Sequence, residues 1–256
     1  MQSAAHADPQ RVAFAGDWHA NTRWAVTAID YAKQQGADII VHVGDFGYDF
    51  PATFLRNVTK ALARAGLHLW FVDGNHEDFD LLSRYPIRGN GLREVTDRIW
   101  HIPRGHRWEW AGTSFLGCGG AHSVDRPWRE PGVSWWRQET ITEEDAARCV
   151  AGGPVDVLVA HDCPAGVMIP GVDDRDGPPP FPPLELQLAN EHRQVLRRIV
   201  DALQPALIVH GHYHVLYTAR PEFTNRPRVL GLDCDGTALE RNVRVYELHE
   251  GWVARV

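Results

Sequence analysis

The alternation of strand and helix signals in the first 80 residues constrains the fold of this 256-residue chain more than any other feature. Residues 11–15, 39–43 and 67–73 are short apolar runs, typical of strands that are buried on both faces. Between them, apolar residues at helical spacing predict helices over residues 21–35 and 51–65. This βαβαβ order predicts right-handed crossovers and a parallel sheet.

The rest of the chain adds strands of a second kind. Residues 98–102, 106–111 and 113–118 predict a run of antiparallel strands, and Thr142 with Asp145 predicts a capping box on a helix that ends near residue 150. Strands are expected at residues 155–160 and 206–210, and a helix between them at residues 184–203. The proline-rich residues 163–183 predict a long functional loop. Its stretch Asp173-Asp174-Arg175-Asp176 could act as a lid, and a disordered loop is an equally good interpretation.

We expect residues 1–256 to form one α/β domain, because the chain shows neither an internal repeat nor an interdomain linker. Its first ten residues have no feature of a signal peptide and are expected to be a flexible N-terminus. A turn is expected at Glu250-Gly251, among further strands of the C-terminal tail.

Composition excludes several classes of function. The formal net charge of −7 argues against a broad surface for duplex nucleic acid. The chain has no apolar run near the ~18–20 residues that span a bilayer, so no membrane partner is expected. Its four cysteines form no CxxC pair and predict reduced thiols in a cytoplasmic protein. The oligomeric state stays open.

Polar clusters follow five of the predicted strands. In chain order they are Asp17-Trp18-His19, Gly44-Asp45, Gly74-Asn75-His76-Glu77, His161-Asp162 and Gly211-His212-Tyr213-His214. Because ligands of open α/β sheets bind outside the carboxyl ends of the strands, we expect these clusters to converge. Their carboxylate, amide and imidazole groups suit Mn, Fe, Zn, Co or Ni. They are too many for one ion, and Asp45 could bridge two ions about 3.5–4 Å apart.

Each cluster has an ordinary structural interpretation when it is taken alone. Gly44-Asp45 is typical of a turn that caps a helix, and a single His161 at a strand end is more often a hydrogen-bonded core histidine. Asp73 or Glu77 could orient the imidazole of His76, although the favoured interpretation of each is a carboxylate that caps a helix or is solvated. The ordered set of five clusters nevertheless favours a metal site.

These five motifs together resemble the ordered signature of the calcineurin-like metallophosphoesterases, over roughly residues 11–214. The resemblance implies a four-layer αββα sandwich with two mixed β-sheets flanked by helices. It also implies two divalent metal ions, with Mn²⁺ expected first, and a metal-bridging hydroxide as the nucleophile. The implied ligands of one ion are Asp17, His19, Asp45 and His214, and those of the other are Asp45, Asn75, His161 and His212. Asp45 and His76 are the implied catalytic residues, with His76 near the leaving group.

The details of the motifs distinguish subfamilies. Asp17-Trp18-His19-Ala20 and residues 44–50 depart from the pattern of the Ser/Thr protein phosphatases, whereas Gly211-His212-Tyr213-His214 is similar to bacterial and phage cyclic-nucleotide phosphodiesterases. We therefore expect hydrolysis of phosphodiesters, in particular small or cyclic nucleotides. A phosphomonoesterase, a nuclease and a non-catalytic scaffold of the same fold are the alternatives.

The substrate is expected to contact a segment rich in glycine, tryptophan and arginine. His122, Arg126 and Arg129 could bind a phosphate there, and the neighbouring Trp128 could stack on a base. An ordinary surface loop with a small tryptophan cluster is an equally good interpretation of this segment.

Overall fold

The structure, a computed structural model, describes residues 8–249 and 252–255. Most of the predicted N-terminal segment and the predicted turn at Glu250-Gly251 lie outside the described residues. Across the described part of the chain, no helix has the length and apolar character required to cross a membrane.

The strands, in chain order, are β1 (Arg11–Ala15), β2 (Ile39–His42), β3 (Leu69–Phe71), β4 (Arg93–Glu94), β5 (Ile99–His101), β6 (Arg107–Trp110), β7 (Thr113–Cys118), β8 (Val157–Ala160), β9 (Leu207–His210), β10 (Tyr217–Ala219), β11 (Arg228–Gly231), β12 (Val243–His249) and β13 (Trp252–Arg255). The α-helices are α1 (Thr22–Gln34), α2 (Ala52–Ala65), α3 (Phe79–Arg84), α4 (Glu143–Val150), α5 (Pro183–Leu203) and α6 (Leu239–Asn242). Two short 3₁₀ helices lie at Arg126–Trp128 and Arg137–Glu139.

Both sheets are mixed. The first has the order β13-β12-β1-β2-β3-β5-β4, and the second has the order β10-β11-β9-β8-β7-β6. In the first sheet β1, β2, β3 and β5 run parallel, and in the second β7, β8, β9 and β11 do. The outer strands pair antiparallel.

The two sheets lie between two layers of helices, which gives the predicted four-layer αββα sandwich. Side chains alternate along β1, so that Val12 and Phe14 pack between the sheets while Ala13 and Ala15 face the helices. Helices α1 and α2 cover the first sheet, and α4 and α5 cover the second. This double burial explains why the central strands are continuous apolar runs.

The helix ends follow the sequence signals closely. Asn21 caps α1 by accepting a hydrogen bond from the Trp24 backbone N–H, and Gly66 ends α2 in the left-handed conformation. The capping box between Thr142 and Asp145 is present at the start of α4. The four cysteines are free, as predicted.

One prediction about the strands is wrong. The hairpin of β6 and β7 is antiparallel as expected, but β5 does not join it, because it pairs in parallel with β3 in the other sheet. The connection from β3 to β5 is a crossover through α3, a six-residue helix too short to give a clear apolar periodicity. The chain then passes to the second sheet after β5.

The segment 163–183 contains turns but neither strand nor helix before Pro183. Its first part is anchored, since Val167 and Ile169 are buried in the core against α5. Residues 170–180 are exposed. Its role as a lid stays a prediction.

Candidate metal centre

The loops after β1, β2, β3, β8 and β9 meet at one edge of the sandwich and bring the predicted ligands together. Four of these residues, none of them glycine, have positive φ angles: His19 (48°), Asp45 (53°), His212 (67°) and His214 (53°). Such backbone conformations cost free energy and persist where the surrounding structure enforces them, which is common at functional sites.

The first set of side chains, the Asp17 group, consists of Asp17, His19 and His214. Each offers one ligand atom, and these atoms lie within 4.8 Å of one another. His214 Nε2 is 3.2 Å from Asp17 Oδ2, and the Asp17 side chain is fully buried. The carboxylate of Asp17 also accepts a hydrogen bond from the His212 backbone N–H, which ties the loop after β9 to the loop after β1.

The second set, the Asp45 group, consists of Asp45, Asn75, His161 and His212. Ligand atoms of its carboxylate and two imidazoles lie within 4.8 Å of one another. His161 Nε2 is 3.4 Å from Asp45 Oδ2 and 3.1 Å from Asn75 Oδ1. His161 Nδ1 donates to the Val43 carbonyl at 2.8 Å, so this hydrogen bond directs Nε2 toward the site.

Asp45 lies between the two groups. Its Oδ2 atom is 3.8 Å from His19 Nε2 and 3.4 Å from His161 Nε2, and its Oδ1 accepts the His76 backbone N–H. Close packing enforces this position: a Cβ atom added at Gly74 would overlap the Asp45 carboxylate, and one at Gly211 would overlap that of Asp17. These glycines let the neighbouring loops approach the ligands.

The electrostatics of the site fit bound cations. Burial lowers the pKa of His161, but the nearby carboxylates of Asp45 and Asp17 outweigh this effect and raise it to about 10. Likewise, hydrogen bonding to Asp17 outweighs burial and raises the pKa of His214 to about 11. The carboxylates of the protein therefore create a negative potential at this site, and protonation of His161 and His214 compensates for it. Because the donors are oxygen and imidazole nitrogen atoms, divalent transition-metal ions fit the same places.

His76 lies at the edge of this centre. Its Nε2 is 4.0 Å from Asp45 Oδ2, and Arg129 Nη2 donates a hydrogen bond to the same nitrogen at 2.7 Å. A guanidinium can only donate, so Nε2 is the acceptor and does not carry the proton in this arrangement. Burial lowers the pKa of His76, and the nearby Arg129 contributes in the same direction.

The other two predicted substrate contacts lie elsewhere. His122 Nε2 is 2.8 Å from Glu185 Oε2, and Arg126 donates to Glu185 Oε1 at 2.7 Å. Both side chains thereby connect the segment after β7 to the start of α5. The structure brings Arg129 into contact with His76, whereas the hydrogen bonds of His122 and Arg126 go to Glu185.

The carboxylates considered as partners of His76 have structural contacts instead. Glu77 accepts hydrogen bonds from the backbone N–H groups of Phe46, Gly47 and Gly74, which fixes two ligand-bearing loops to each other. Burial, with a contribution from Asp45, raises the pKa of Glu77 to about 8. Asp73 is hydrogen-bonded to His101 and to Arg104.

Two acidic residues beside the ligand clusters make contacts that the sequence analysis did not predict. Asp235 Oδ1 is 2.7 Å from His19 Nδ1, and its Oδ2 accepts a hydrogen bond from Asn21 at 2.7 Å. Asp162, next to His161, accepts from the Tyr213 hydroxyl and pairs with His192 at 2.7 Å. Tyr213 and Asp162 lie within the motifs named above, but no signal in the sequence marked Asp235.

Comparison with known proteins finds a matching family model and solved structures of similar fold. The model of the family "Calcineurin-like phosphoesterase" matches residues 10–216. A comparison with curated protein sequences finds no match for the chain. The fold is similar to that of a dimetal phosphatase from Danio rerio, with a TM-score of 0.61 and 14% identity over 95% of this chain and 94% of the other. A protein of Thermus thermophilus is also similar in fold, with a TM-score of 0.55 and 12% identity over 93% and 99% of the two chains.

Proposed function

Because this chain belongs to the calcineurin-like phosphoesterase family and is therefore a metal-dependent phosphoric ester hydrolase, we propose that its substrates are phosphodiesters of small nucleotides, including cyclic ones. The observation that carries this proposal is the contact between Arg129 and His76, beside two converging groups of ligands and next to an exposed tryptophan.

The two ligand groups would hold two divalent ions, with Asp45 shared between them. Mn²⁺ is the first candidate, because the donor set mixes carboxylate and amide oxygen atoms with imidazole nitrogen atoms, while Fe, Zn, Co and Ni are compatible with the same donors. When bound, such ions polarise phosphoryl oxygens and lower the pKa of the attacking water. The protein supplies orientation: hydrogen bonds aim the ligand atoms of His161 and His19 before an ion arrives.

Arg129 and His76 would act on the substrate. Arg129 donates a hydrogen bond to a side chain of this centre, and a single guanidinium suits the single negative charge of a phosphodiester. A phosphate that takes over the Arg129 hydrogen bond would release His76 Nε2. This nitrogen could then carry a proton to the leaving oxygen.

The nucleotide part of the proposal is supported by Trp128. Its side chain is 67% exposed, it directly precedes Arg129 in the chain, and its ring centroid is 6.3 Å from that of Phe181 in the segment 163–183. Exposed aromatic rings close to a phosphate-binding group are typical platforms for bases. A base stacked here would place its phosphate toward Arg129.

The test is a substrate panel with the metal-free protein, reloaded with one metal at a time. We expect metal-dependent turnover of bis-p-nitrophenyl phosphate and of 2′,3′- or 3′,5′-cyclic nucleotides, at higher kcat/KM than p-nitrophenyl phosphate. Substitution Arg129→Ala should lower kcat/KM for these diesters, whereas Arg64→Ala, which removes an exposed ion pair with Asp30, should not. Turnover of monoesters without diesters would replace the proposal with a phosphomonoesterase.

A further inference from the structure

Behind the candidate metal centre, two buried residues form a hydrogen-bond chain that ends at the amide nitrogen of Asn75. Asn75 Nδ2 donates to Ser123 Oγ at 3.0 Å, and Ser123 Oγ donates to Glu139 Oε2 at 2.6 Å. The Ser123 backbone N–H donates to the other carboxylate oxygen, Oε1, at 2.9 Å. All three side chains are nearly inaccessible, with residue exposures of 2% for Asn75, 1% for Ser123 and 0% for Glu139.

The direction of this hydrogen-bond chain follows from Glu139. An ionised carboxylate only accepts hydrogen bonds, so the Ser123 hydroxyl must donate its single proton to Glu139. The hydroxyl oxygen can then only accept from Asn75, and what it accepts is an amide N–H of Nδ2. Since Nδ2 is held on this side, Oδ1 must face the opposite side, where it lies 3.1 Å from His161 Nε2.

An asparagine is a metal ligand only through its oxygen, and its two ends have nearly the same shape. Its orientation therefore has to be enforced by hydrogen bonds. We propose that Glu139 is a positioning residue, which acts through Ser123 to hold Asn75 Oδ1 toward the Asp45 group and thereby sets the affinity of that group for its ion. This inference rests on the proposed metal centre and adds two residues that belong to none of its motifs.

The isosteric substitution Glu139→Gln isolates the effect. The glutamine oxygen can keep the hydrogen bond from the Ser123 backbone N–H, so its NH₂ group takes the place of Oε2 and donates to Ser123 Oγ. The hydroxyl proton of Ser123 then loses its acceptor at position 139, and it regains one at Asn75 only if that amide flips so that Oδ1 turns away from the centre. The shape of the site stays the same, but Nδ2 would face the ion, and an amide nitrogen cannot bind it.

The test is calorimetric titration of the metal-free protein with Mn²⁺ and no substrate, at pH 8.5. Burial raises the pKa of Glu139 to about 7. A pH of 8.5 lies above this pKa and therefore keeps the carboxylate ionised. We expect two Mn²⁺ ions per wild-type chain. In Glu139→Gln, one ion should bind about 10- to 100-fold more weakly, as is common for residues that orient a ligand, while the other keeps its affinity. Ser123→Ala, which removes the hydroxyl altogether, should lower the affinity for the same ion.

Two controls separate positioning from a general structural effect. Glu185→Gln changes another buried glutamate with two side-chain partners, His122 and Arg126, and should leave both Mn²⁺ affinities unchanged. Asn75→Asp supplies a ligand whose two ends are both oxygen, so its orientation does not matter. Adding Glu139→Gln to Asn75→Asp should therefore change Mn²⁺ affinity less than about threefold, against the 10- to 100-fold loss in the native background.

The outcomes distinguish this inference from the proposed function. If Glu139→Gln binds both ions as tightly as the wild type, or weakens binding equally in the Asn75→Asp background, Glu139 does not orient Asn75. If the wild-type protein itself fails to bind two ions, the dinuclear centre is wrong, whatever Glu139 does.

Discussion

The substitution Asp235→Asn tests how strongly the protein controls the other ion, the one assigned to the Asp17 group. Asp235 accepts hydrogen bonds from His19 Nδ1 and from Asn21 Nδ2, both at 2.7 Å, and its side chain is 19% exposed. Since a carboxylate only accepts, His19 Nδ1 must carry the proton, which leaves Nε2 free to bind an ion. An asparagine at position 235 keeps the size of the side chain but has only one acceptor oxygen for these two donors.

The expected magnitude follows from the bonds that change. A hydrogen bond to a charged group contributes about 1.5–3 kcal/mol and a neutral one about 0.5–1.5 kcal/mol. The middles of these two ranges differ by about 1.3 kcal/mol, which is the expected cost of the substitution for the orientation of His19. This cost corresponds to a dissociation constant of the ion that is roughly tenfold higher. The matched control is Asp30→Asn, because it also removes one negative charge but affects only an exposed pair with Arg64, which contributes about 0–1 kcal/mol.

Calorimetric titration with Mn²⁺ measures both variants against the wild type. In Asp235→Asn, one of the two dissociation constants should rise about tenfold while the other stays unchanged, and in Asp30→Asn neither should move. Unchanged affinities in Asp235→Asn, or an equal loss in Asp30→Asn, would show that the hydrogen bond to His19 does not tune the site.

Three further predictions concern catalysis and stability. His76→Ala should keep both ions but lower kcat by about 10²- to 10⁴-fold, the usual range for a residue that transfers a proton; loss of metal, measured by elemental analysis, would contradict this role. Removing the metals with a chelator should lower the melting temperature by about 10–20 °C, since each of the two ions at 100-fold its Kd stabilises the native state by about 2.7 kcal/mol. Calorimetric scans would detect this shift. Thr142→Ala should lower the free energy of unfolding, measured in urea, by about 1 kcal/mol, because it breaks the capping box of α4. A change below about 0.2 kcal/mol would mean that water replaces the cap.

The layered architecture could be predicted because the signals for strands and for helix ends are both local in the sequence. Continuous apolar runs identified the central strands, and Asn21, Gly66 and Thr142 marked helix ends that the structure confirms within one or two residues. The position of β5 could not be predicted in the same way. Its pairing with β3 depends on a crossover through α3, which has six residues, and on a partner that lies about 30 residues earlier in the chain.

The ligand clusters could be located for a related reason. A parallel strand delivers the residue after its carboxyl end to the edge of the sheet, so a polar cluster at each strand end is visible in the sequence before any contact is known. The geometry adds what the sequence lacked: the positions of His19, Asp45, His212 and His214 require a left-handed backbone. That conformation is rare for residues other than glycine and cannot be inferred from their identity.

The residues that orient the ligands follow a different rule, which explains why they were missed. Asp235 lies in the segment after β11, and Glu139 lies in a 3₁₀ helix before α4; neither follows one of the strands that deliver the ligands. An orienting group needs only one atom at hydrogen-bond distance from a ligand, so any passing segment can supply it and no spacing records it. A ligand, by contrast, must converge with several others and is confined to the strand ends. Variation among relatives with this sandwich is therefore expected to concentrate in the orienting residues, where metal affinity can change while the ligand set stays intact.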